Sequence, residues 1–167
     1  MFKVGEYIIY KRDLCKIQAI EKNPLTKEDY YKLSPMTDET LSIKVPANNK
    51  FHNLRYPISK KEAEALIQKI PEISPLKTND KLLESEYRNL MKTNQHEDLI
   101  KIIKTTYLRS EDRKNQGKKV SDKDQLFFKQ AETYLYTELA YSLKMSFEEC
   151  KKHIILEVEN SLRKEES

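Results

Sequence analysis

The chain has 167 residues, of which 38% are hydrophobic and 35% charged, a balance that suits one ordinary domain or two small ones. Two glycines cannot build a glycine-rich phosphate loop, and the three histidines and two cysteines lack the spacing of a metal site. No apolar run reaches the roughly 18 residues needed to cross a bilayer, and the N-terminus lacks the features of a signal peptide. We therefore expect a cytoplasmic protein with reduced thiols, without cofactor or metal, and with nothing that argues for an enzyme.

Residues 1–57 carry the short runs of β-branched, aromatic or alternating residues that are typical of strands. Predicted strands cover residues 4–10, 14–20, 30–34 and 40–46, and a short fifth strand is expected at 54–56. So few strands in 57 residues cannot form two full packed sheets. We expect a small, strongly bent sheet or an SH3-like barrel filled by its own side chains.

The fourth predicted strand places apolar and polar side chains on opposite faces. Leu41, Ile43 and Val45 form the apolar face, while Lys44 is a lone cation on the other face. Pro46 has no N–H to donate to a neighbouring strand. The strand is therefore expected to end at this proline or to lie at an edge of the sheet.

From residue 58 onward, the spacing of apolar residues is that of amphipathic helices. The capping signals, in chain order, are Ser59 with Glu62, Asn94 with Glu97, Ser121, and Ser146 with Glu149. Gly117 is the natural end of the third helix. Short connections favour a bundle. The predicted fold is α+β, with a β domain at 1–57 followed by an all-α domain of about five helices at 58–167.

The charge is concentrated in one part of the chain. The whole chain carries a formal net charge of +4, whereas residues 101–123 contain 8 basic and 3 acidic residues, or +5. A local basic stretch of this kind can be the footprint of nucleic-acid binding. A solvated helix face is the commoner interpretation, so charge alone leaves both open.

Several segments together resemble the CarD/CdnL family of transcription regulators. In the first half the matching segments are FKVGEYIIY at 2–10, CKI at 15–17, YYKL at 30–33, LSIKVPANN at 41–49, and LR at 54–55. In the second half they are YLRSEDRKNQGKKVSDKD at 107–124 and AETYLYTELA at 131–140. The resemblance covers nearly the whole chain in the family's order. The family shares its N-terminal module with the RNA-polymerase-interacting domain of the transcription-repair coupling factor.

The resemblance implies a role in transcription without enzymatic activity. A Tudor-like N-terminal module would bind the β subunit of bacterial RNA polymerase. The helical domain would contact promoter DNA at the upstream edge of the melted bubble and so alter the lifetime of the open complex. The polymerase-binding residues that the resemblance implies are Leu41, Ile43, Lys44, Val45 and Pro46. Lys44 stands in the place of a basic residue that pairs with acidic groups on polymerase; the alternative is a solvated strand lysine.

The resemblance also implies a set of DNA-facing cations. These residues are Arg109, Arg113, Lys118, Lys119 and Lys123. Phosphate contacts from such side chains give salt-sensitive affinity but do not read the base sequence. The alternative is a solvated corner in which neighbouring acidic residues balance the charge, namely Glu111, Asp112 and Asp122.

The chain departs from the family pattern at two places. Typical members carry a tryptophan that wedges into the minor groove, but this chain has none, and TNDKLL at 78–83 stands where it is expected. Tyr87 is the nearest aromatic residue, and its helical spacing with Leu83 and Leu90 predicts a core position. The loop between the first two strands is also shorter than is usual and lacks glycine.

A second hypothesis is nucleic-acid binding, directed at RNA, by the β domain without polymerase. Such binding would need aromatic side chains that face solvent and stack on bases. The candidates are Tyr7, Tyr10 and Tyr31.

Overall fold

A computed structural model describes the backbone of residues 1–166 and the side chains of residues 1–163. These residues form a five-stranded antiparallel sheet followed by five α-helices, so the predicted α+β class is confirmed. The chain divides into two compact units, Met1–Ile58 and the residues from Ser59 onward. Within the described residues, every helix is too short or too polar to cross a bilayer.

The sheet occupies the first unit. Its strands are β1 (Tyr7–Tyr10), β2 (Asp13–Lys22), β3 (Asp29–Pro35), β4 (Ile43–Pro46) and β5 (Leu54–Arg55). The order β4-β3-β2-β1-β5 makes β4 and β5 the edge strands. A register shift between Ile17 and Ala19 marks a bulge in β2, which increases local twist. The strands pair as an open sheet over the described residues, so the closed form of the predicted barrel is not seen.

The core of the sheet unit is built from alternating side chains of all five strands. Its buried members are Ile8, Cys15, Ile17, Tyr31, Leu33, Val45 and Leu54. Burying one large apolar side chain contributes roughly 1.5–3 kcal/mol. The Phe2 ring packs edge-on against Tyr31 and Tyr56, and the Phe2 N–H donates to the Tyr31 hydroxyl. The chain start is thereby fixed to the sheet core.

The turn between β1 and β2 contains only Lys11 and Arg12. Their φ angles are 45° and 77°, in the left-handed region that glycine and asparagine usually occupy in such hairpins. The short, glycine-free loop noted in the sequence is therefore a strained two-residue turn. Each such residue costs on the order of 1–2 kcal/mol.

The loop after β4 is closed by the side chain of Asn49. This residue has φ 51°, which asparagine tolerates better than most residues. Its Nδ2 donates to the Leu54 carbonyl at 3.0 Å, and its Oδ1 accepts from the Leu54 N–H at 3.1 Å. The amide thus pairs with β5 as a strand residue would, and so ties the end of β4 to the opposite edge strand.

The second unit contains the five helices. They are α1 (Lys60–Lys69), α2 (Asp80–Lys92), α3 (His96–Asn115), α4 (Asp122–Leu143) and α5 (Phe147–Glu166). The predicted caps at Ser59, Ser121 and Ser146 accept the expected backbone N–H groups. Gly117 follows the end of α3 with φ 70°, as a helix-ending glycine does.

The predicted cap at Asn94 is wrong. Gln95 precedes α3 as its N-cap, without a side-chain hydrogen bond. The neighbouring Thr93 hydroxyl instead donates to Asp98 at 2.6 Å. Sequence spacing alone does not distinguish which of two adjacent polar residues turns toward the helix.

The segment between α1 and α2 is pinned to the core by α3. Lys104 is fully buried, and its ammonium group donates to the Ile73 carbonyl at 2.7 Å. At the next residue of α3, the Thr105 hydroxyl accepts from the Leu76 N–H at 2.8 Å. Lys104, one of the basic residues of the segment 101–123, is therefore part of the core and is not available at the surface.

Candidate interaction surfaces

The first candidate surface is the outer edge of β4. β3 is its only described partner strand, with Val45 opposite Tyr31 and Lys44 opposite Lys32. The Ala47 N–H donates to the Asp29 carbonyl of the β3 side at 2.9 Å. Because antiparallel strands alternate in the direction of their backbone groups, Val45 faces β3 and Lys44 faces away. The Lys44 N–H and C=O are thus directed at the outer edge.

Pro46 limits how many backbone hydrogen bonds the outer edge of β4 can offer. Two residues after Lys44, it also faces away from β3, where its missing N–H costs the sheet no hydrogen bond. Its carbonyl accepts the Asn49 N–H at 3.4 Å, in the turn that follows the strand. The groups that a partner strand would meet are therefore the N–H and the carbonyl of Lys44.

The five residues implied for polymerase binding do not all lie in this strand. Ile43, Lys44, Val45 and Pro46 form β4, whereas Leu41 precedes it and is 52% exposed. Leu41 stays outside because its N–H donates to the Asp38 carbonyl, which forms a turn before the strand. Val45 is buried in the sheet core, so its side chain is withdrawn from any partner. The predicted strand start at residue 40 is moved to Ile43.

Lys44 is exposed and paired within the molecule. Its ammonium group lies 3.3 Å from a carboxylate oxygen of Glu21, on β2. Both side chains border a cleft of about 210 Å³ with Tyr30 and Pro24. Exposed pairs of this kind contribute only about 0–1 kcal/mol, so an acidic group of a partner can replace Glu21 at little cost.

The second candidate surface is a polar cleft of about 410 Å³ in the helical unit. The start of α2, the end of α3 and the start of α4 line it. Three of the five cations implied for DNA binding border it, namely Arg109, Arg113 and Lys123. Lys118 and Lys119 lie in the exposed turn between α3 and α4. The five cations thus come from one corner of the unit but differ in their partners.

Arg109 is held by two carboxylates. Its Nε donates to Asp124 at 3.0 Å and its Nη1 donates to Asp80 at 2.9 Å. The Asp124 side chain is only 2% exposed and also accepts from the buried Tyr87 hydroxyl at 3.1 Å. Burial lowers the guanidinium pKa, but the hydrogen bonds and charges of Asp124 and Asp80 outweigh it and raise the pKa overall. Arg109 therefore joins α2, α3 and α4.

Arg113 fixes the turn that follows α3. Its Nε donates to the Lys119 carbonyl at 2.7 Å, while the Lys118 N–H donates to the Arg113 carbonyl at 2.8 Å. These bonds hold Lys118 and Lys119 in a defined turn with their side chains in solvent. The Lys119 ammonium group lies 3.9 Å from Asp122, and both groups are more than 80% exposed.

Lys123 is also neutralised within the unit. Its ammonium group lies 2.8 Å from Glu84 on α2, and the other carboxylate oxygen of Glu84 lies 2.8 Å from Arg88. The hydrogen bond from Lys123, then that from Arg88, lowers the Glu84 pKa to about 2. The i,i+4 spacing of Glu84 and Arg88 is readable from sequence. The contact of Glu84 with Lys123 is tertiary and is not.

Of the acidic partners named from the sequence, Asp122 alone contacts one of the five cations. Glu111 instead lies 3.6 Å from Lys114, and Asp112 accepts a hydrogen bond from Gln116. The residues that sequence reasoning missed are the carboxylates that hold the implied sites: Glu21, Asp80, Glu84 and Asp124.

The aromatic residues named for RNA binding are not a common exposed face. Tyr31 is 1% exposed and belongs to the sheet core. Tyr7 and Tyr10 are half-buried. A base cannot stack on Tyr31 without opening the sheet.

Tyr87, the aromatic residue nearest to the place of the missing tryptophan, is fully buried, as its spacing predicts. Leu82, in the segment that stands at that place, is 52% exposed.

A scan against models of protein families gave no match, and a search of curated proteins gave none. The function is therefore proposed from the residues of this chain, their geometry and the resemblance that their segments carry.

Proposed function

We propose that this protein is a non-enzymatic transcription regulator of the cytoplasm. It binds the β subunit of bacterial RNA polymerase through the β4 edge and contacts promoter DNA, near the upstream edge of the bubble, through the helical unit. Together these contacts change the stability of the open complex. The proposal rests on the resemblance to the CarD/CdnL family and on the geometry of the two candidate surfaces.

The observation that carries the proposal is the outward-facing backbone of Lys44. An exposed sheet edge with a donor and an acceptor is a template for strand addition, in which main-chain hydrogen bonds supply affinity. The Lys44 side chain would then exchange Glu21 for an acidic group of the β subunit. In this proposal the sheet is a Tudor-like module, and Ile43 and Pro46 flank the added strand.

The DNA contact is proposed to be a phosphate contact without base readout. Lys118, Lys119 and Lys123 are exposed, and the ion pairs of Lys119 with Asp122 and of Lys123 with Glu84 lie at the surface. Arg109 instead positions the helices, since its partner Asp124 is buried. Arg113 orders the turn that presents the lysines. Of the five cations, the three lysines would thus contact phosphate, and the two arginines would position the helices and the turn.

The polymerase arm is tested by titrating the full chain against the purified β subunit. Lys44→Glu should weaken binding at least about tenfold, because it puts two like charges together on β2 and β4 and repels an acidic partner. The matched control is Lys50→Glu, the same charge change in the exposed loop between β4 and β5. Equal binding by the wild type and both variants would contradict the role of Lys44, and no binding by folded wild type would contradict the proposal.

A further inference from the structure

We infer that Glu84 is an internal competitor of DNA phosphate for Lys123, so that the helical unit binds DNA in a self-restrained form. The inference rests on the proposed function, since it concerns how the proposed DNA contact is tuned. It adds a residue, Glu84, that the resemblance does not include.

The geometry places Glu84 where a phosphate would lie. One carboxylate oxygen is 2.8 Å from Lys123 on α4 and the other is 2.8 Å from Arg88 on its own helix. Two anionic oxygens that engage two cations at hydrogen-bond distance reproduce the way in which a phosphate is bound. The site borders the 410 Å³ cleft, which leaves room for a group larger than a carboxylate.

The pair is exposed enough to exchange. The side chains of Lys123 and Arg88 are 69% and 62% exposed, and that of Glu84 is 36% exposed. Exposed pairs are screened and weak, so an arriving phosphate can displace the carboxylate. Arg109 differs because its partner Asp124 is 2% exposed, and separating them would leave a buried charge without its partner. A phosphate can therefore replace the carboxylate partner of Lys123 and Arg88 but not that of Arg109.

Titration cannot release this restraint at ordinary pH. The hydrogen bonds from Lys123 and Arg88 hold the Glu84 pKa at about 2, so the carboxylate is charged at any pH near neutrality. A lowered acid pKa means that protonation weakens the pair only as the pH falls toward 2. Substitution is the appropriate test.

The experiment compares the affinity of full-length variants for a fluorescent DNA duplex of mixed sequence over a range of salt. Glu84→Gln removes the charge, while Glu86→Gln makes the same change two residues along α2, where no ion pair is present among the described side chains. We expect Glu84→Gln to bind about three- to fivefold tighter than Glu86→Gln at low salt. The dependence of log K on log salt should be steeper by about 0.9, which corresponds to one additional phosphate contact.

A double variant identifies the cation concerned. In a Lys123→Gln background, the gain from Glu84→Gln should disappear. Equal affinity of Glu84→Gln and Glu86→Gln, or a gain that survives without Lys123, would overturn the inference while leaving DNA binding intact. If neither wild type nor any folded variant binds DNA at low salt, the proposed DNA contact fails instead.

Discussion

The edge of β4 and the cationic corner of the helical unit each present a lysine held by a carboxylate of its own unit. Lys44 lies 3.3 Å from Glu21, and Lys123 lies 2.8 Å from Glu84. The two lysines differ in their backbones. Lys44 also offers an N–H and a C=O at an open sheet edge, whereas Lys123 lies in the first turn of α4, where no strand can pair. The first surface can therefore bind by strand pairing, and the second mainly through charge.

Because of this difference, the two surfaces should respond differently to salt concentration. Main-chain hydrogen bonds between neutral groups depend little on salt, whereas phosphate contacts weaken steeply as salt rises. Geometry of the chain should dominate at β4, and net charge should dominate in the helical corner. Variants that separate geometry from charge are the way to test the comparison.

The two units can be followed separately because each holds one of the chain's two cysteines. Cys15 lies in the sheet core and Cys150 on α5, and both are buried. Burial raises the pKa of the Cys15 thiol to about 12 and that of Cys150 to about 11. The thiolate is thus scarce at neutral pH, and alkylation in increasing urea should report the unfolding of each unit through its own cysteine.

The largest expected effect is on the stability of the helical corner. Asp124→Ala should lower the free energy of unfolding of the second unit by about 3 kcal/mol, since it leaves Arg109 and the buried Tyr87 hydroxyl without this partner. Urea-dependent alkylation of Cys150 measures it. The control is Asp122→Ala, in the same helical turn but 84% exposed, which should cost less than about 1 kcal/mol. If both variants lost the same unfolding free energy, Arg109 would not be needed to hold the helices and would be available for DNA binding.

A smaller effect is expected in the sheet unit from Asn49→Ala. It removes two hydrogen bonds to Leu54 and leaves alanine in a left-handed conformation, at a combined cost of about 2 kcal/mol. Alkylation of Cys15 in urea is the readout. Asn48→Ala is the control, because Asn48 is exposed and accepts only a local bond from Lys50. If the two variants were equally stable, the amide clamp between the β4 loop and β5 would have no role in shaping the edge.

The fold was largely readable from the sequence, and the sites were readable only in part. Alternation and capping signals are local, so all five strands and the caps at Ser59, Ser121 and Ser146 could be predicted. The start of β4 was missed because the Asp38 turn competes with strand pairing for Leu41. Long-range ion pairs were missed for a different reason. Nothing in residue spacing joins Arg109 to Asp80 or Lys123 to Glu84, since these pairs depend on how the helices pack.

The proposed binding of polymerase to the outward backbone of β4 is best tested with the variant Lys44→Pro. Proline removes the outward N–H of Lys44 without touching a hydrogen bond to β3, and proline is tolerated on edge strands. Binding to the purified β subunit would be measured for wild type, Lys44→Pro and Lys44→Gln at low and high salt. We expect Lys44→Pro to bind at least about tenfold more weakly than Lys44→Gln at both salt concentrations. Equal affinity of these two variants would contradict strand addition and leave Lys44 with a role in charge alone.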